Sequence, residues 1–362
     1  MRGRAPRPTV RLCIVDSGEV LAAVPQGRSP AIRGYAAAVV GCSPDRIAAV
    51  SRFEDGNRHE VYKVSYVDAG GADADLVVRV SFGDDPAERA QAEREARVLE
   101  KVGGVAGPHL YDCSVTSRWF ETPALSMAFV PGRQLVLGDA TSAEIEKLGS
   151  VVAWVHAQPV DDLAEVLSET SDVASYAAGR MRSILAGLPW VREPLAAPIR
   201  ERLAHAARGV EQSWEDWRDG GSFDTGEKVA LIHGDIAFGN VLWGPEPVLI
   251  DWEFARLGDP ADDIAYLFDQ NELTATQRSA FWRGYRACRS NDAHLAHVVD
   301  RATWWEPLTL LGSALWWVER WVRRTEGDAT GTIDRAVSRD PGYYYDHVIR
   351  RLDRLDGLMR RP

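Results

Sequence analysis

The sequence predicts an α+β protein of two lobes, a small antiparallel-sheet lobe followed by a larger helical one. Three observations carry this. The first third of the chain reads as strands, with alternating apolar residues and turn residues between them. From residue 141 the pattern changes to long helical periodicity. And 362 residues are enough for two lobes around a cleft. The expected division is a loose N-terminal extension at 1–30, a sheet lobe at 31–130 and a helical lobe at 131–362.

The elements follow in order. "AIRGYAAAVVG" is a short helix ended by Gly41. "DRIAAVSRF" and "HEVYKVSYV" are strands separated by "EDGN", and "DLVVRVSF" is the third strand after the loop "DAGGADA". Asp85 is a helix N-cap with Pro86 in the first helical position, and the helix runs to Gly103. "ETPALSMAFV" holds further strand, and "PGRQL" breaks it. Helical patterns then cover 141–157, 173–186, 193–219, 272–289, 293–325 and 343–360, interrupted by a hairpin at 241–250.

Composition excludes several classes. Apolar residues are 45% and charged residues 26%, as in an ordinary water-soluble domain. No apolar run reaches the ~18 residues of a membrane span, and the basic start lacks a signal-peptide core. Cys13, Cys42, Cys113 and Cys288 are scattered, so neither a zinc site nor a disulfide framework is expected. A cytoplasmic protein is the reading, with no membrane and no protein partner implied. Net charge is −11, nearly all of it between residues 131 and 300. That argues against nucleic acid and suits a cationic ligand, though solvated helix faces give the same count.

The stretch "ALIHGDIAFGNVLWGPEPVLIDWEFARLGDP" (230–260) packs one His, three Asp and one Asn among short apolar runs. Burying carboxylates needs partners. If "VLW" and "VLI" pair symmetrically about "GPEP", Asn240 stands opposite Asp251. An amide oxygen beside a carboxylate suits Mg²⁺. Asp235 precedes Asn240 by five residues. His-x-Asp-x₄-Asn, a hairpin, then Asp is the kinase catalytic-loop template, in which the first Asp accepts the substrate hydroxyl proton.

"LIHGDIAFGNVLW" followed by "LIDWEFARLGDPADDIAYL" resembles the signature of the aminoglycoside phosphotransferase and choline kinase-like superfamily of small-molecule kinases, which have a protein-kinase-like fold. "EDGNRHEVYKV", "LVVRV", "EREARVLEKV", "LSMAFVPG" and "LGSVVAWVHAQP" extend the resemblance from about residue 34 to 290. It implies Asp235 as catalytic base, Asn240 and Asp251 as metal ligands, and His233 as support for the loop. It also implies that Asp263 braces the catalytic segment.

Arg79 interrupts an apolar strand, and Glu95 lies on the apolar stripe Ala92, Glu95, Leu99 and Val102 of the next helix. Each explains the other as an ion pair, either holding nucleotide phosphate or purely structural. Arg stands where protein kinases carry Lys. Gly56 and Asn57 form a turn whose backbone N–H groups either face phosphate or close a plain hairpin. Met127 and Phe129, in "MAFV", resemble the hinge that receives adenine, and equally a buried strand.

Of 13 Trp, five cluster in one helix. Trp304, Leu308, Leu311, Leu315, Val318 and Val322 form one apolar stripe. Core packing is the reading, with an aromatic cage for a quaternary ammonium as the alternative.

The expected activity is transfer of the γ-phosphate of ATP or GTP, with Mg²⁺, to a hydroxyl of a small molecule. An acidic rim of Glu253, Asp259, Asp262, Asp269 and Glu272 points to a cationic acceptor, an aminoglycoside-like antibiotic ahead of choline, amino alcohols and sugars. A nucleotide-binding pseudokinase is the alternative of another class, but it would be expected to lack the base or a metal ligand. Trp252 and Glu253 after the metal Asp, with no Ala-Pro-Glu downstream, disfavour a protein kinase.

Overall fold

The computed structural model describes residues 21–22, 24, 27–53, 59–135, 138–167, 170, 172–191, 195–221, 223, 226–289, 295–325 and 340–359. The first lobe holds strands β1 (Leu21–Ala22), β2 (Ile47–Phe53), β3 (His59–Val67), β4 (Asp73–Ser81), β5 (Leu110–Ser114) and β6 (Ala124–Ala128). They form one antiparallel sheet in the order β1-β2-β3-β4-β6-β5. Helices α1 (Arg28–Val39) and α2 (Pro86–Val102) complete the lobe.

Alternation along β4 sets the two faces of this sheet. Val78 and Val80 join Tyr62, Val64 and Leu76 in a core that Ile32, Tyr35 and Ala36 of α1 cover. Val77 turns the other way and packs with Val61 and Phe53. Helix α2 starts as its residues dictate. Asp85 accepts from Ala87 N–H at 2.8 Å and Glu88 N–H at 3.0 Å, with Pro86 in the first turn. Ala92, Glu95, Leu99 and Val102 are its buried stripe.

Two strands of this sheet lie outside the sequence expectation. β1 pairs Leu21 with Phe53 and Ala22 with Arg52, and α1 begins at Arg28. The end of the segment expected to be loose therefore belongs to the sheet. β5 is an edge strand with little buried surface, and "LYDCS" shows no clean alternation.

The second lobe is helical: α3 (Ser142–His156), α4 (Ala164–Leu167), α5 (Val173–Leu185), α6 (Ala197–Asp219), α7 (Pro260–Gln270), α8 (Ala275–Cys288), α9 (Leu295–Thr325) and α10 (Pro341–Met359). Two small antiparallel ladders lie between α6 and α7. β7 (Ala230–Ile232) pairs with β10 (Arg256–Gly258), and β8 (Val241–Leu242) with β9 (Val248–Leu249). Helix α7 lies outside the expected helical runs. Its start signal, Asp259 as N-cap before Pro260, sits inside an acidic motif that reads as a loop.

Helices α3 and α8 approach so closely that a Cβ at Gly149 would lie 2.2 Å from Phe281 O, and one at Gly284 1.8 Å from Glu146 O. Only glycine fits at either position. The expected apolar stripe of α9, from Trp304 to Val322, is buried throughout. Trp304 meets Trp214, Phe223 and Trp305, so this part of the tryptophan cluster is core. Trp316 stays exposed. Among the described residues no helix is long and apolar enough to cross a membrane.

Candidate active site

The antiparallel pairing of β7 and β10, with Leu231 opposite Leu257, brings His233 and the segment after it beside α7. Gly234 has φ +81°, and a Cβ there would meet Phe254 O at 2.4 Å. Glycine therefore allows two successive backbone N–H groups to turn inward. His233 N–H donates to Asp263 Oδ2 at 2.8 Å and Gly234 N–H to Asp263 Oδ1 at 2.7 Å. His156 Nε2 lies 3.2 Å from the same carboxylate, and its Nδ1 3.0 Å from the Tyr285 hydroxyl. Asp263 thus braces the loop from α7, the place the resemblance implies for it.

His233 is fully buried. Its Nδ1 accepts the Asp235 N–H at 3.2 Å, which leaves Nε2 to donate to Ile250 O at 3.0 Å. The ring is the neutral Nε2–H tautomer, with both nitrogens engaged in hydrogen bonds within the loop. Burial lowers its pKa below 6.5 against the attraction of Asp263 and Asp235. Burial alone would raise the Asp263 carboxyl. The His156 hydrogen bond, electrostatic attraction from the two imidazoles and the His233 N–H bond together bring it below 3.8.

Both shifts have the same sign for stability. A depressed folded-state pKa contributes stability above the unfolded value that is lost as pH falls. Unfolding midpoints in urea are expected to drop as pH decreases from 6.5, first through His233 and then, below about 4, through Asp263. His233→Gln should flatten the upper part of this profile and leave the lower part. An unchanged profile would remove His233 from the account.

Asp235 is held at both oxygens. Tyr266 O–H donates to Oδ1, and Asn240 Nδ2 donates to Oδ2 at 2.8 Å and to the Asp235 carbonyl at 3.0 Å. Asn271 fixes the rest of the loop: its Oδ1 accepts Phe238 N–H at 2.7 Å and its Nδ2 donates to Ile236 O at 2.9 Å. The sequence reading does not single out Tyr266, Asn271 or His156. The signal for Tyr266 is its i, i+3 relation to Asp263 on α7, legible only once α7 is known to be a helix.

The hairpin register differs from expectation by one residue. Val241 faces Leu249 and Leu242 faces Val248, and Ile250 N–H donates to Asn240 O at 2.9 Å. The cause is Trp243. Its backbone exchanges hydrogen bonds of 3.0 and 2.8 Å with Arg133, so it leaves the hairpin and lengthens the turn. A one-residue slip would put Asn240 and Asp251 on opposite faces of a regular ladder. Asp251 does not continue the ladder. It takes a left-handed conformation, φ 66° and ψ 63°, before a helical turn at Trp252–Phe254. Its carboxylate then lies 3.5 Å from Arg79 Nη1. Burial and the nearby Glu253 raise the Asp251 pKa well above 3.8, and the Asp235 charge adds to this.

Arg79 and Glu95 form the expected buried ion pair. Arg79 thus ties α2 to Asp251 across the cleft, and the neighbouring carboxylates, Glu95 first, raise its pKa against burial. Apolar walls from both lobes, including Val61, Val77, Met127, Leu242, Ile250 and Trp252, enclose a pocket that Arg79, Glu95 and Asp251 also line. Met127 therefore faces the cleft. Phe129 packs at its edge against the Phe53, Val61 and Val77 cluster, with the Lys63 ammonium 4.1 Å above its ring. Gly56 and Asn57 lie outside the described residues.

Only part of the expected acidic rim faces solvent. Asp259, Asp262 and Asp269 are buried. Asp259 pairs with Arg301, Asp262 with Arg256 and Tyr176, and Asp269 with Arg354. Glu272 reaches Arg350 at 3.4 Å. The three buried aspartates are paired within the protein and add little to a field on a cationic acceptor, while Glu272 stays exposed and Glu253 half-buried.

The model of the phosphotransferase enzyme family named APH matches residues 49–298. Among curated proteins, acyl-CoA dehydrogenase family member 10 of Mus musculus is 24% identical over 265 residues, 67% of this chain but only 22% of that protein. The chain thus matches about a fifth of that relative's length. A crystal structure of a putative aminoglycoside phosphotransferase from Ralstonia eutropha aligns over 91% of this chain and 97% of its own, at 15% identity and TM-score 0.60. A choline/ethanolamine kinase family protein from Mesorhizobium loti aligns over 91% and 95%, at 17% identity and TM-score 0.57. A thermostable mutant of the aminoglycoside phosphotransferase APH(4)-Ia, in ternary complex with ADP and hygromycin B, aligns over 91% and 98%, at 14% identity and TM-score 0.58. At these identities the structures speak for the fold, which is the protein-kinase-like one, and the family match covers both the sheet and the catalytic segment. The chain belongs to the APH phosphotransferase enzyme family.

Proposed function

We propose that this protein moves the γ-phosphate of ATP or GTP onto a hydroxyl group of a small molecule, with Mg²⁺ bound between the lobes. The observation that carries the reading is Asp235. Its two oxygens are fixed by Tyr266 and Asn240, on a loop anchored to α7. A carboxylate so placed can orient an acceptor hydroxyl and take its proton as the oxygen attacks the γ-phosphorus. The bond from that phosphorus to the β-phosphate oxygen breaks, and the nucleoside diphosphate leaves with the electron pair.

The donor set fits Mg²⁺. Asn240 commits its amide nitrogen to Asp235 and so leaves its oxygen for a cation. Asp251 is a desolvated carboxylate crowded by other acids. No group of three His, Cys, Asp or Glu among the described residues could hold a metal alone. Nucleotide phosphates and water would complete the shell, as Mg²⁺ requires. When bound, the ion neutralises charge on the phosphates. Arg79, fixed by Glu95, adds a cation on the same side. The ADP and hygromycin B in one structural relative support nucleotide and hydroxylated small-molecule binding here. Both candidate metal ligands and the base are kept, which argues against a pseudokinase. Free cysteines at 42, 113 and 288 suit a cytoplasmic setting. The charge argument for an aminoglycoside-like, cationic acceptor loses three of its five carriers, because Asp259, Asp262 and Asp269 are buried and pair internally.

The test measures ATP and GTP binding and turnover with and without Mg²⁺. Asp251→Asn should weaken Mg²⁺-dependent nucleotide binding about tenfold or more. Arg79→Ala should raise the nucleotide KM and lower stability by about 3–5 kcal/mol, because Glu95 is left buried and unpaired. Nucleotide turnover that proceeds equally well in EDTA would defeat the metal assignment. Failure to bind either nucleotide would defeat the kinase reading.

A further inference from the structure

Gln270 follows Tyr266 by one helical turn on α7, so the two share a face about 5–6 Å apart. Against that face stands Arg351 of α10. Its Nε donates to Ser313 Oγ at 2.5 Å, its Nη1 meets His347 Nδ1 at 3.1 Å and His347 O at 3.3 Å, and its Nη2 reaches only Gln270 Oε1, at 3.4 Å. Every one of these partners is a neutral oxygen or a ring nitrogen. Among the described residues no carboxylate forms a salt bridge with Arg351, although the charge of Asp269 acts on it, whereas its neighbours Arg350 and Arg354 pair directly with Glu272 and Asp269. A guanidinium carries five N–H donors. Three have good or fair acceptors, and the two on Nη2 share one long contact on the side facing α7.

Arg351 is half-buried, and its charge reaches the Tyr266 hydroxyl that donates to Asp235. Burial brings its pKa down to about 10, with only partial relief from Asp269 and Tyr266. It remains a cation at neutral pH. A half-buried cation on the Tyr266 side of the loop, with no carboxylate hydrogen-bonded to it and Nη2 held only by one long neutral contact, can accept an anion.

Its surroundings also disfavour a cationic ligand. The flat face of Trp317 is taken by His347, with ring centroids 4.0 Å apart and planes 8° apart, and Arg351 lies 5.3 Å from the same ring. A quaternary ammonium seated there would meet Arg351 as a like charge.

We propose that the acceptor is a hydroxylated small molecule carrying one carboxylate or phosphate group, several ångströms from the reacting hydroxyl, and that Arg351 binds this anion through Nη2 while the hydroxyl lies at Asp235. This rests on the kinase reading and adds the chemical class of its acceptor. Arg351 is a specificity-determining residue. The phosphoryl transfer itself is the step already written, with the acceptor proton going to Asp235.

The experiment uses the full chain saturated with Mg²⁺ and ADP. Calorimetry measures binding of hydroxycarboxylates of graded chain length, sugar phosphates and glycerol phosphate, and of choline, kanamycin and a neutral sugar for comparison. Transfer from ATP and GTP is then followed for the same compounds. At least one anionic compound is expected to bind, and the carboxylate and phosphate sets distinguish the two anions. Arg351→Gln should weaken that binding at least about tenfold, and should raise the acceptor KM more than the nucleotide KM. Arg351→Lys should restore part of it, keeping the charge without the fork. If Arg351→Gln does not fold, Arg351→Lys alone decides, by a smaller loss confined to the anionic set. Three outcomes overturn the proposal: choline or kanamycin binding better than every anion, variants that bind anions as the wild type does, or no anionic compound binding. Anion binding through Arg351 without phosphate transfer from either nucleotide would instead count against the kinase reading.

Discussion

Asp235→Asn is expected to lower kcat by about 10²–10⁴-fold while nucleotide binding is kept. On the proposed reading the carboxylate takes the acceptor proton, and its surroundings make the substitution a clean one. Asn240 Nδ2 donates to Oδ2, so an asparagine at 235 would set its amide oxygen there. Its amide nitrogen would then face Tyr266, whose hydroxyl can rotate to accept. The loop is held elsewhere, by Asp263, His233 and Asn271, and the fold should survive. Steady-state kinetics with ATP or GTP, beside calorimetry with Mg²⁺ and ADP, separates the two effects. A variant that turns over at the wild-type rate would remove Asp235 as the base.

The largest expected effect on stability lies away from the cleft. Asp259 and Arg301 are fully buried, and Asp259 receives Arg301 Nε and Trp305 Nε1 at 2.8 Å each, besides Ala261 N–H at 3.1 Å as the N-cap of α7. Asp259→Ala would strand the Arg301 charge with Glu227 as its remaining carboxylate partner. A loss of about 3–5 kcal/mol is expected, read as a lower urea midpoint at unchanged slope. Asp259→Asn keeps an N-cap oxygen for Ala261 N–H but turns an amide NH2 toward the Arg301 and Trp305 donors, so it should still lose most of the pair. Its difference from Ala reports the cap together with what the retained oxygen accepts. If Asp259→Ala unfolds at the wild-type midpoint, the pair contributes nothing.

Much of this is legible in the amino-acid order alone. Arg79 and Glu95 are each out of place on an apolar face, and two such anomalies one element apart imply each other. Asp85 and Pro86 mark the start of α2 because capping chemistry is local. Long helices show their periodicity. What escapes a reading of the sequence is set by partners distant along the chain. Trp243 leaves its hairpin for Arg133, a contact 110 residues away, and no local pattern records that. The acidic residues after Asp251 read as a solvent-facing rim because sequence shows charge but not burial. Their cations, Arg301, Arg350 and Arg354, come from helices much later in the chain. Tyr266 stays hidden because α7 lies behind an acidic, loop-like start.

The two N–H bonds from the catalytic loop to Asp263 have a further consequence. They root the reactive apparatus in α7, whereas Arg351, His347 and Trp317 belong to α9 and α10. Yet α7 is itself tied to α9 through Asp259, Arg301 and Trp305, and to α10 through Asp269 and Arg354. Wholesale exchange of the last two helices would therefore disturb the base of the loop. On the proposed reading, a lineage or an engineer could vary the acceptor at Arg351 alone, leaving those ties and the proposed proton acceptor in place.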